Sequence, residues 1–296
     1  MKARHRIEWS RGILCGIASA GLFGLSTPLL KRLLPNFGAT MLAGLLYLGA
    51  GIGLTIFSLA SRRRWPAFSR GDWRRLAVIA AIGGFLSPVL LMVGLTRVSG
   101  LVASLLLNLE AVSTMALAVT FFGDRLNRSE WVGASLIVAG AVLLSIQPGN
   151  LAADMFGVIA VAGACIGWGL DNNLTQRVSS HDPVAIVQVK ALSAGSANVL
   201  LAYAIGQHLP GRGPLFDALL VGFFCYGISI VLDVYALRFL GAAREAAIFA
   251  TAPFLGAVAA ILILGERAGI REAAAGVLMA AGLVAFRMKS RSPATT

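Results

Sequence analysis

Charged residues are scarce in this chain of 296 residues. Asp, Glu, Lys and Arg together make up 13% of it, apolar residues make up 57%, and the mean hydropathy is +0.81. Soluble domains carry about 25% charged residues, so the composition indicates a protein whose main solvent is lipid. The net charge of +12 would indicate a nucleic acid partner for a soluble protein. Here the charges lie between apolar runs, and we expect no nucleic acid partner.

Cysteine and histidine are also few, with three residues of each kind. The cysteines lie inside apolar runs, and an odd number so placed fits neither a disulfide framework nor a metal site. The histidines lie outside the apolar runs and lack the spacing of metal ligands. HExxH, Walker and GxSxG motifs are absent from the sequence. The sequence therefore predicts no enzyme activity, no cofactor and no metal.

Apolar runs long enough to cross a bilayer recur along the whole chain. A transmembrane helix needs about 20 apolar residues. A window of that length predicts ten spans, at 12–34, 38–60, 74–96, 99–121, 130–146, 154–177, 183–206, 215–238, 242–264 and 270–287. The first run follows a basic segment, as in a signal peptide, but it exceeds the apolar stretch of about 7–15 residues in such a leader. The predicted fold class is therefore an all-α integral membrane protein with ten transmembrane helices.

Lysine and arginine are distributed unevenly between the connectors on the two sides. With a cytoplasmic N-terminus, 18 of the 25 fall on the cytoplasmic side, 6 fall outside, and Lys190 lies within a span. Membrane proteins retain positive charge on the cytoplasmic side. We therefore expect a multi-pass protein of the inner (plasma) membrane with both termini in the cytoplasm.

The two halves of the chain are similar to one another. GILCGIASAGLFG (12–24) aligns with GVIAVAGACIGWG (157–169), and FFGDRL (121–126) aligns with ILGERA (263–268). The halves, 1–148 and 149–296, would each hold five spans, and an odd number inverts the second half in the membrane. Inverted repeats around a central cavity are typical of secondary transporters that work by alternating access. A duplicated membrane protein with a structural role, or a channel, remains as an alternative.

A signature of the form G-[DE]-R follows the fourth predicted helix of each half, as Gly123-Asp124-Arg125 and Gly265-Glu266-Arg267. With ten spans in two five-helix repeats, the whole chain resembles the EamA branch of the drug/metabolite transporter superfamily. Within that branch it is most similar to bacterial YddG-type exporters of aromatic and other neutral amino acids. The resemblance implies a central cavity and outward transport of small metabolites. Many relatives have an acidic residue before the proline where this chain has Ala252-Pro253.

Span four carries two polar residues, Asn108 and Glu110, in the run SLLLNLEAVSTMALAV (104–119). A carboxylate near the bilayer midplane costs several kcal/mol without a partner. Glu110 either lines the cavity, where it binds a substrate ammonium or carries a proton, or it ties span four to a neighbouring helix. Asn108 lies about 200° away round the helix and is a second candidate substrate-binding residue on another groove.

Three charged residues lie at similar depth in the cytoplasmic half, namely Asp171 in span six, Lys190 in span seven and Asp233 in span eight. With a rise of about 1.5 Å per residue, each is roughly 7–11 Å from the cytoplasmic interface. A buried ammonium is costly alone, so we expect Lys190 to pair with a carboxylate and to close the cytoplasmic side as a gate. The alternative is that Lys190 extends to the interface without a partner.

Aromatic residues flanked by glycine occupy aligned positions in the two halves, Phe23 in GLFGL and Trp168 in CIGWGLDNN. We expect both to line the cavity, where aromatic walls suit aromatic substrates, unless they only pack against other helices or lipid. Tyr226 and Phe249 are further candidates, and Asn172 either recognises a substrate carboxylate or fixes helix packing. The predicted function is export of aromatic or neutral amino acids by a monomer in the lipid bilayer. Export of other small metabolites or drugs is the alternative.

Overall fold

The computed structural model describes residues 2–122, 127–145, 151–240, 245 and 248–287. Helices and short connectors make up this part of the chain, and it contains no strand. The long helices are α1 (Lys2–Leu33), α2 (Ala39–Ala60), α3 (Arg70–Arg97), α4 (Gly100–Leu106 and Leu109–Phe122), α5 (Arg128–Ser145), α6 (Leu151–Val178), α7 (Pro183–Ala204), α8 (Arg212–Leu240), α9 (Ala252–Leu264) and α10 (Ile270–Arg287).

Eight described helices, α1 to α8, are long and apolar enough to cross a membrane. The chain is therefore an all-α, multi-pass membrane protein. α9 is apolar but has only 13 residues, and residues 241–244 before it lie outside the described ranges. α10 has 18 residues and contains Arg271, Glu272 and Arg287. The spans expected at 242–264 and 270–287 therefore stay predictions.

Polar caps fix the start of two helices on the side expected to face the cytoplasm. At the start of α3, the Asp72 N–H donates to Ser69 Oγ over 3.2 Å and the Ser69 N–H donates to Asp72 Oδ2 over 3.0 Å. At the start of α7, Asp182 Oδ1 accepts from the Val184 N–H over 3.1 Å, and Pro183 occupies the first helical position. These caps satisfy amide groups that a helix leaves unpaired at its N-terminus.

The main helix contacts run between the first and the second half of the chain. α2 packs along α7, α1 packs against α8 and α9, and α6 packs against α3 and α4. Small residues bring α2 and α7 together, because a Cβ atom at Gly44 would strike Val199 and one at Gly195 would strike the backbone of Leu48. Membrane helices associate through such close packing, since lipid supplies no hydrophobic drive between them.

Helix irregularities occur at corresponding places in the two halves. The third helix of each half, α3 and α8, contains a π-helical segment, Ile79–Leu86 and Gly222–Ile228 respectively. A turn at 107–108 interrupts α4, and a turn at 250–251 precedes α9. A π-helical segment leaves carbonyl groups that side chains can use, and interrupted helices border substrate sites in transporters. Of these four places, the π-helical segment of α8 supplies a cavity-lining residue, Tyr226, and the turns in α4 and before α9 lie next to two others, Glu110 and Phe249.

Candidate functional site

The cavity lies between α1, α2, α4, α6, α7, α8 and the segment that precedes α9. The aromatic part of its wall consists of Phe23, Tyr47, Trp168, Tyr226 and Phe249. The charged part consists of Glu110, Asp171, Lys190, Asp233 and Glu245. Asn172 also lines it. The structure thus brings together every residue that the sequence singled out for substrate binding or gating except Asn108.

Phe23 lies at the centre of the aromatic part. Its ring centroid is 6.0 Å from that of Trp168 at an interplanar angle of 82°, 5.2 Å from that of Phe249 and 6.0 Å from that of Tyr226. Tyr47 joins the cluster through Tyr226, with 5.4 Å between the centroids. Edge-to-face and tilted ring pairs at such distances attract one another. Aromatic residues of both halves therefore form one wall, and their part in substrate binding stays a prediction.

The π-helical segment of α3 holds this wall in place through its free carbonyl groups. Tyr47 Oη and Trp168 Nε1 both donate to the carbonyl oxygen of Gly83, each over 2.9 Å. Asn198 Nδ2 donates to the carbonyl oxygen of Phe85 over 3.2 Å. Side chains from α2, α6 and α7 thus satisfy carbonyl groups that a regular helix would use itself. Sequence reasoning missed Gly83 and Asn198, because no pattern marks a π-helical segment.

Glu110 lies in the first turn of the second segment of α4 and faces the cavity. Asn172 Nδ2 donates to Glu110 Oε1 over 2.8 Å and to Thr114 Oγ1 over 3.4 Å. The two interpretations of Glu110 therefore describe the same arrangement, since its carboxyl group ties α4 to α6 and also borders the cavity. Whether it binds substrate or carries a proton stays a prediction.

Asn108 lies in the turn that interrupts α4 and points away from the cavity. It is 1% exposed. Its Nδ2 donates to the carbonyl oxygen of Leu105 over 2.9 Å and lies 3.7 Å from Met279 Sδ in α10. These contacts join α4 to α10, so the structure gives Asn108 a place in helix packing and none in the cavity wall.

Lys190 Nζ forms a contact ion pair with Asp171 Oδ2, and each side chain is 5% exposed. Thr175 Oγ1 donates to Asp171 Oδ1 over 3.2 Å, and Lys190 Nζ lies 5.9 Å from the centroid of the Tyr47 ring. A Cβ atom at Gly83 would strike the Asp171 carboxyl group. The sequence left open whether Lys190 extends to the interface; the structure places it buried, between α6 and α7, with Asp171 as its partner.

Asp233, the third residue of the expected gate, has a different neighbour. Its side chain lies within hydrogen-bonding reach of that of Glu245. One oxygen of each, Asp233 Oδ1 and Glu245 Oε1, is buried and lacks a hydrogen-bond partner in the part of the chain that the structure describes. Glu245 is 7% exposed. Arg244, which precedes Glu245 in the chain, lies outside the described ranges.

A polar cluster joins the connectors on the expected cytoplasmic side. Arg63 Nη1 lies 3.0 Å from Asp182 Oδ1, and His181 Nε2 lies 3.2 Å from Asp72 Oδ2. Arg238 Nη2 donates to the carbonyl oxygen of Ser179 over 2.7 Å. The cluster fastens the connector before α3 and the end of α8 to the connector between α6 and α7. The sequence did not predict it, because its members lie in connectors far apart along the chain.

The second G-[DE]-R signature fixes the start of α4. Glu266 Oε1 accepts from the Gly100 N–H over 2.8 Å, and its Oε2 accepts from the Leu101 N–H over 2.7 Å. A carboxylate at a helix N-terminus satisfies free amide groups and opposes the positive end of the helix dipole. Lys31 Nζ donates to the carbonyl oxygen of Val98 over 2.7 Å, which adds α1 to the same junction. The first signature, at 123–125, lies outside the described ranges.

Comparison with known proteins identifies a protein family that the chain matches. The model of the EamA-like transporter family matches residues 10–146 and 155–288. A solved crystal structure superposes with a TM-score of 0.69 at 17% sequence identity, over 93% of this chain and 96% of the other. At that identity the likeness shows a shared fold alone.

Similar curated proteins are named as transporters. An uncharacterized transporter of Methanothermobacter thermautotrophicus is 27% identical over 292 residues, which cover 92% of this chain and 84% of that protein. The uncharacterized inner membrane transporter YedA of Escherichia coli is 25% identical over 66% of this chain and 63% of its own. A probable amino-acid metabolite efflux pump of Salmonella typhimurium is 24% identical over 61% of this chain and 65% of its own. The last two matches thus span slightly less than two thirds of those relatives.

Proposed function

This chain belongs to the EamA-like transporter family, and we propose that it exports amino acids with aromatic or other neutral side chains through the cavity between its two halves. Transport of small metabolites across a membrane follows from the family itself. The choice of substrate, the direction and the mechanism of alternating access are the proposal. The observation that carries it is a cavity whose wall is aromatic in one part and charged in another.

The proposed architecture is ten transmembrane helices in two inverted five-helix repeats, 1–148 and 149–296, with both termini in the cytoplasm. Two observations support it. The family model matches the chain twice, once in each half, and irregular segments recur in the third and fourth helices of both halves. A pair of interrupted helices in corresponding places is the usual sign of a transporter site between repeats. A C-terminal alkaline phosphatase fusion should stay inactive and a C-terminal fluorescent protein should be bright.

The substrate class rests on the division of the cavity wall. Rings from both halves meet at Phe23, and such rings suit an aromatic or apolar side chain. Carboxyl groups on α4 and α8 and the ammonium of Lys190 on α7 supply charge for a polar head group. The name of the Salmonella typhimurium relative, an amino-acid metabolite efflux pump, agrees with this choice.

The proposed gate is the ion pair between Lys190 and Asp171. The Lys190–Asp171 ion pair joins α6 to α7 in the half of the cavity that the charge distribution assigns to the cytoplasm. Separating α6 from α7 there opens the cavity inward, so the pair stabilises the state that is closed to the cytoplasm. Asp233, which contacts Glu245 instead of Lys190, belongs to the polar head-group end of the site.

A panel of substrates tests the proposal. Proteoliposomes with the purified protein should release preloaded phenylalanine, tyrosine and leucine faster than loaded liposomes without protein do. Glutamate is the fourth amino acid of the panel, and its release rate should differ from theirs. Running the panel with and without a pH gradient separates proton-coupled from facilitated transport. Release of none of these amino acids above the empty-liposome rate would end the amino acid proposal and leave other small metabolites or drugs.

A further inference from the structure

We propose that Asp233 and Glu245 form an ammonium-binding site, and that the cavity therefore binds aromatic amines without a carboxylate more tightly than the amino acids that carry the same side chain. The inference rests on the proposed function only in placing the substrate in this cavity. It names the group by which the substrate is recognised and the chemical class that fits best.

The pair is built as a cation site. Two carboxyl groups within hydrogen-bonding reach repel one another unless a proton or another cation lies between them. Both line the cavity, and each keeps one buried oxygen without a partner in the described part of the chain. Glu245 is more than nine-tenths buried. An ammonium group in the cavity can displace the proton that the pair otherwise shares and donate to both carboxyl groups.

The rest of the charged wall does not compete for that ammonium. Asp171 is already paired with Lys190, and Glu110 already accepts from Asn172. The pair on α8 and before α9 is thus the part of the wall whose acceptor capacity is least used. A primary ammonium with three donors fits it.

A substrate carboxylate finds the opposite situation. Among the described lining residues Lys190 is the single cation, and Asp171 already neutralises it. The amide of Asn172, which the sequence put forward as a carboxylate ligand, donates to Glu110 and Thr114. A carboxylate on the ligand would therefore lie among like charges, and the donors of the cavity wall that could bind it are already engaged. Burial of a carboxylate under these conditions is costly.

The aromatic end of the cavity sets the other half of the substrate. Phe249 follows Glu245 by four residues, both line the cavity, and the Phe249 ring lies 5.2 Å from that of Phe23. A ring that packs in this cluster therefore lies near the carboxyl pair. An aromatic ring joined to an ammonium by a short alkyl spacer satisfies both ends, and phenethylamine is the simplest such probe.

Isothermal titration of the full-length protein in lipid nanodiscs tests the inference with three probes of one side chain: phenethylamine, phenylalanine and 3-phenylpropionate. We expect phenethylamine to bind at least about tenfold more tightly than phenylalanine, and 3-phenylpropionate to bind more weakly than either. Equal or tighter binding of phenylalanine overturns the inference. This comparison uses the wild-type protein, so it stands even where a variant fails to fold.

Variants locate the effect. The ratio of the dissociation constants of phenylalanine and phenethylamine should be close to one in each of two variants, Glu245→Gln and Asp233→Asn. The matched control is Asp217→Asn, which removes an exposed carboxyl group of α8 that does not line the cavity, and it should keep the wild-type ratio. An unchanged ratio in both pair variants would show that the pair holds only a proton and would overturn the assignment.

The outcomes separate this inference from the proposed export. Efflux of phenylalanine together with equal binding of amine and amino acid leaves the export standing and removes the ammonium site. Tighter binding of the amine without efflux of any amino acid leaves the ammonium site standing and removes amino acid export.

Discussion

Tyr47 and Trp168, from helices of different halves, donate to the same carbonyl oxygen, that of Gly83, each over 2.9 Å. The oxygen lacks a donor from its own helix, because the Ser87 N–H bonds to the carbonyl oxygen of Ile82 and the next residue, Pro88, has no N–H. The two donors come from α2 and α6. The aromatic wall of the cavity is thus fastened to an irregular segment of a third helix. Movement of that segment would move both rings together, which couples the shape of the cavity to a bend in α3.

The first prediction tests this link with Trp168→Phe. The variant keeps a ring that can pack on Phe23 but removes the indole N–H, so Gly83 keeps Tyr47 as its remaining donor. We expect thermal stability to fall by the equivalent of about 1 kcal/mol, the typical value of one such hydrogen bond, with transport reduced less than by Trp168→Ala. Trp131→Phe, at a residue 61% exposed, is the control and should change neither. Identical melting curves for Trp168→Phe and the wild type would show that this hydrogen bond is not made.

The second prediction separates the two roles of Glu110. Glu110→Gln keeps an oxygen that accepts from Asn172, and removes the charge. If the carboxyl group only joins α4 to α6, the variant should transport normally; if it binds an ammonium or carries a proton, transport should fall by about tenfold or more and lose its dependence on pH between 5 and 8. We expect the loss through the proton, because the carboxyl group borders the cavity and the ammonium is assigned to Asp233 and Glu245. Glu130→Gln, at a carboxyl group that caps α5, serves as the control. Full activity across the pH range would show that Glu110 is structural.

The third prediction concerns the buried ion pair. Lys190→Met leaves Asp171 buried without its cation, a change that typically costs about 3–5 kcal/mol. The state closed to the cytoplasm should lose population, and a cysteine placed near Asp233 should react faster with a maleimide added from the cytoplasmic side. Adding Asp171→Asn should restore most of the wild-type labelling rate.

Asp233→Asn provides the comparison for that cycle, since Asp233 contacts Glu245 and not Lys190. Its coupling to Lys190→Met should be weaker than that of Asp171→Asn, because Asp233 interacts with Lys190 at longer range. Independent effects of Asp171→Asn and Lys190→Met, or unaltered labelling in Lys190→Met, would exclude the gate.

The fourth prediction concerns the G-[DE]-R signature. Glu266→Gln keeps an acceptor for one amide but removes the charge that serves both Gly100 and Leu101, so the start of α4 should be less stable. We expect a loss of about 1 kcal/mol, within the usual range for a helix N-cap, seen as a lower melting temperature in detergent. Glu272→Gln is the control, because Glu272 Oε2 accepts from the single N–H of Gly269 over 2.8 Å, and its loss should be smaller. A larger loss in the control would assign no special role to the signature.

Two kinds of site residue could be predicted from the sequence. They are charged residues whose burial costs free energy and residues at equivalent positions of the internal repeat. A carboxylate in an apolar run needs a partner, which drew attention to Glu110, and the internal repeat aligned Phe23 with Trp168. Helix rotation put Asn108 and Glu110 on different grooves, as the structure has them, but it did not indicate which of the two grooves is the cavity. Glu245 lies at the expected inner start of a span, which placed it near the other charged residues without indicating that Asp233 is its neighbour. Pro88 shows that some carbonyl group before it lacks a helical donor, but no pattern marks the π-helical register that makes Gly83 the residue concerned.

The most direct test of the account is efflux of radiolabelled phenylalanine from proteoliposomes that hold wild-type protein, Phe23→Ala or Phe121→Ala at equal amounts. Phe23 is buried at the centre of the aromatic wall, whereas Phe121 is 73% exposed and lies outside the cavity lining. The account predicts saturable efflux by the wild type, at least about tenfold slower efflux by Phe23→Ala with the protein still folded, and wild-type efflux by Phe121→Ala. Equal efflux by folded Phe23→Ala and the wild type would contradict transport through this cavity.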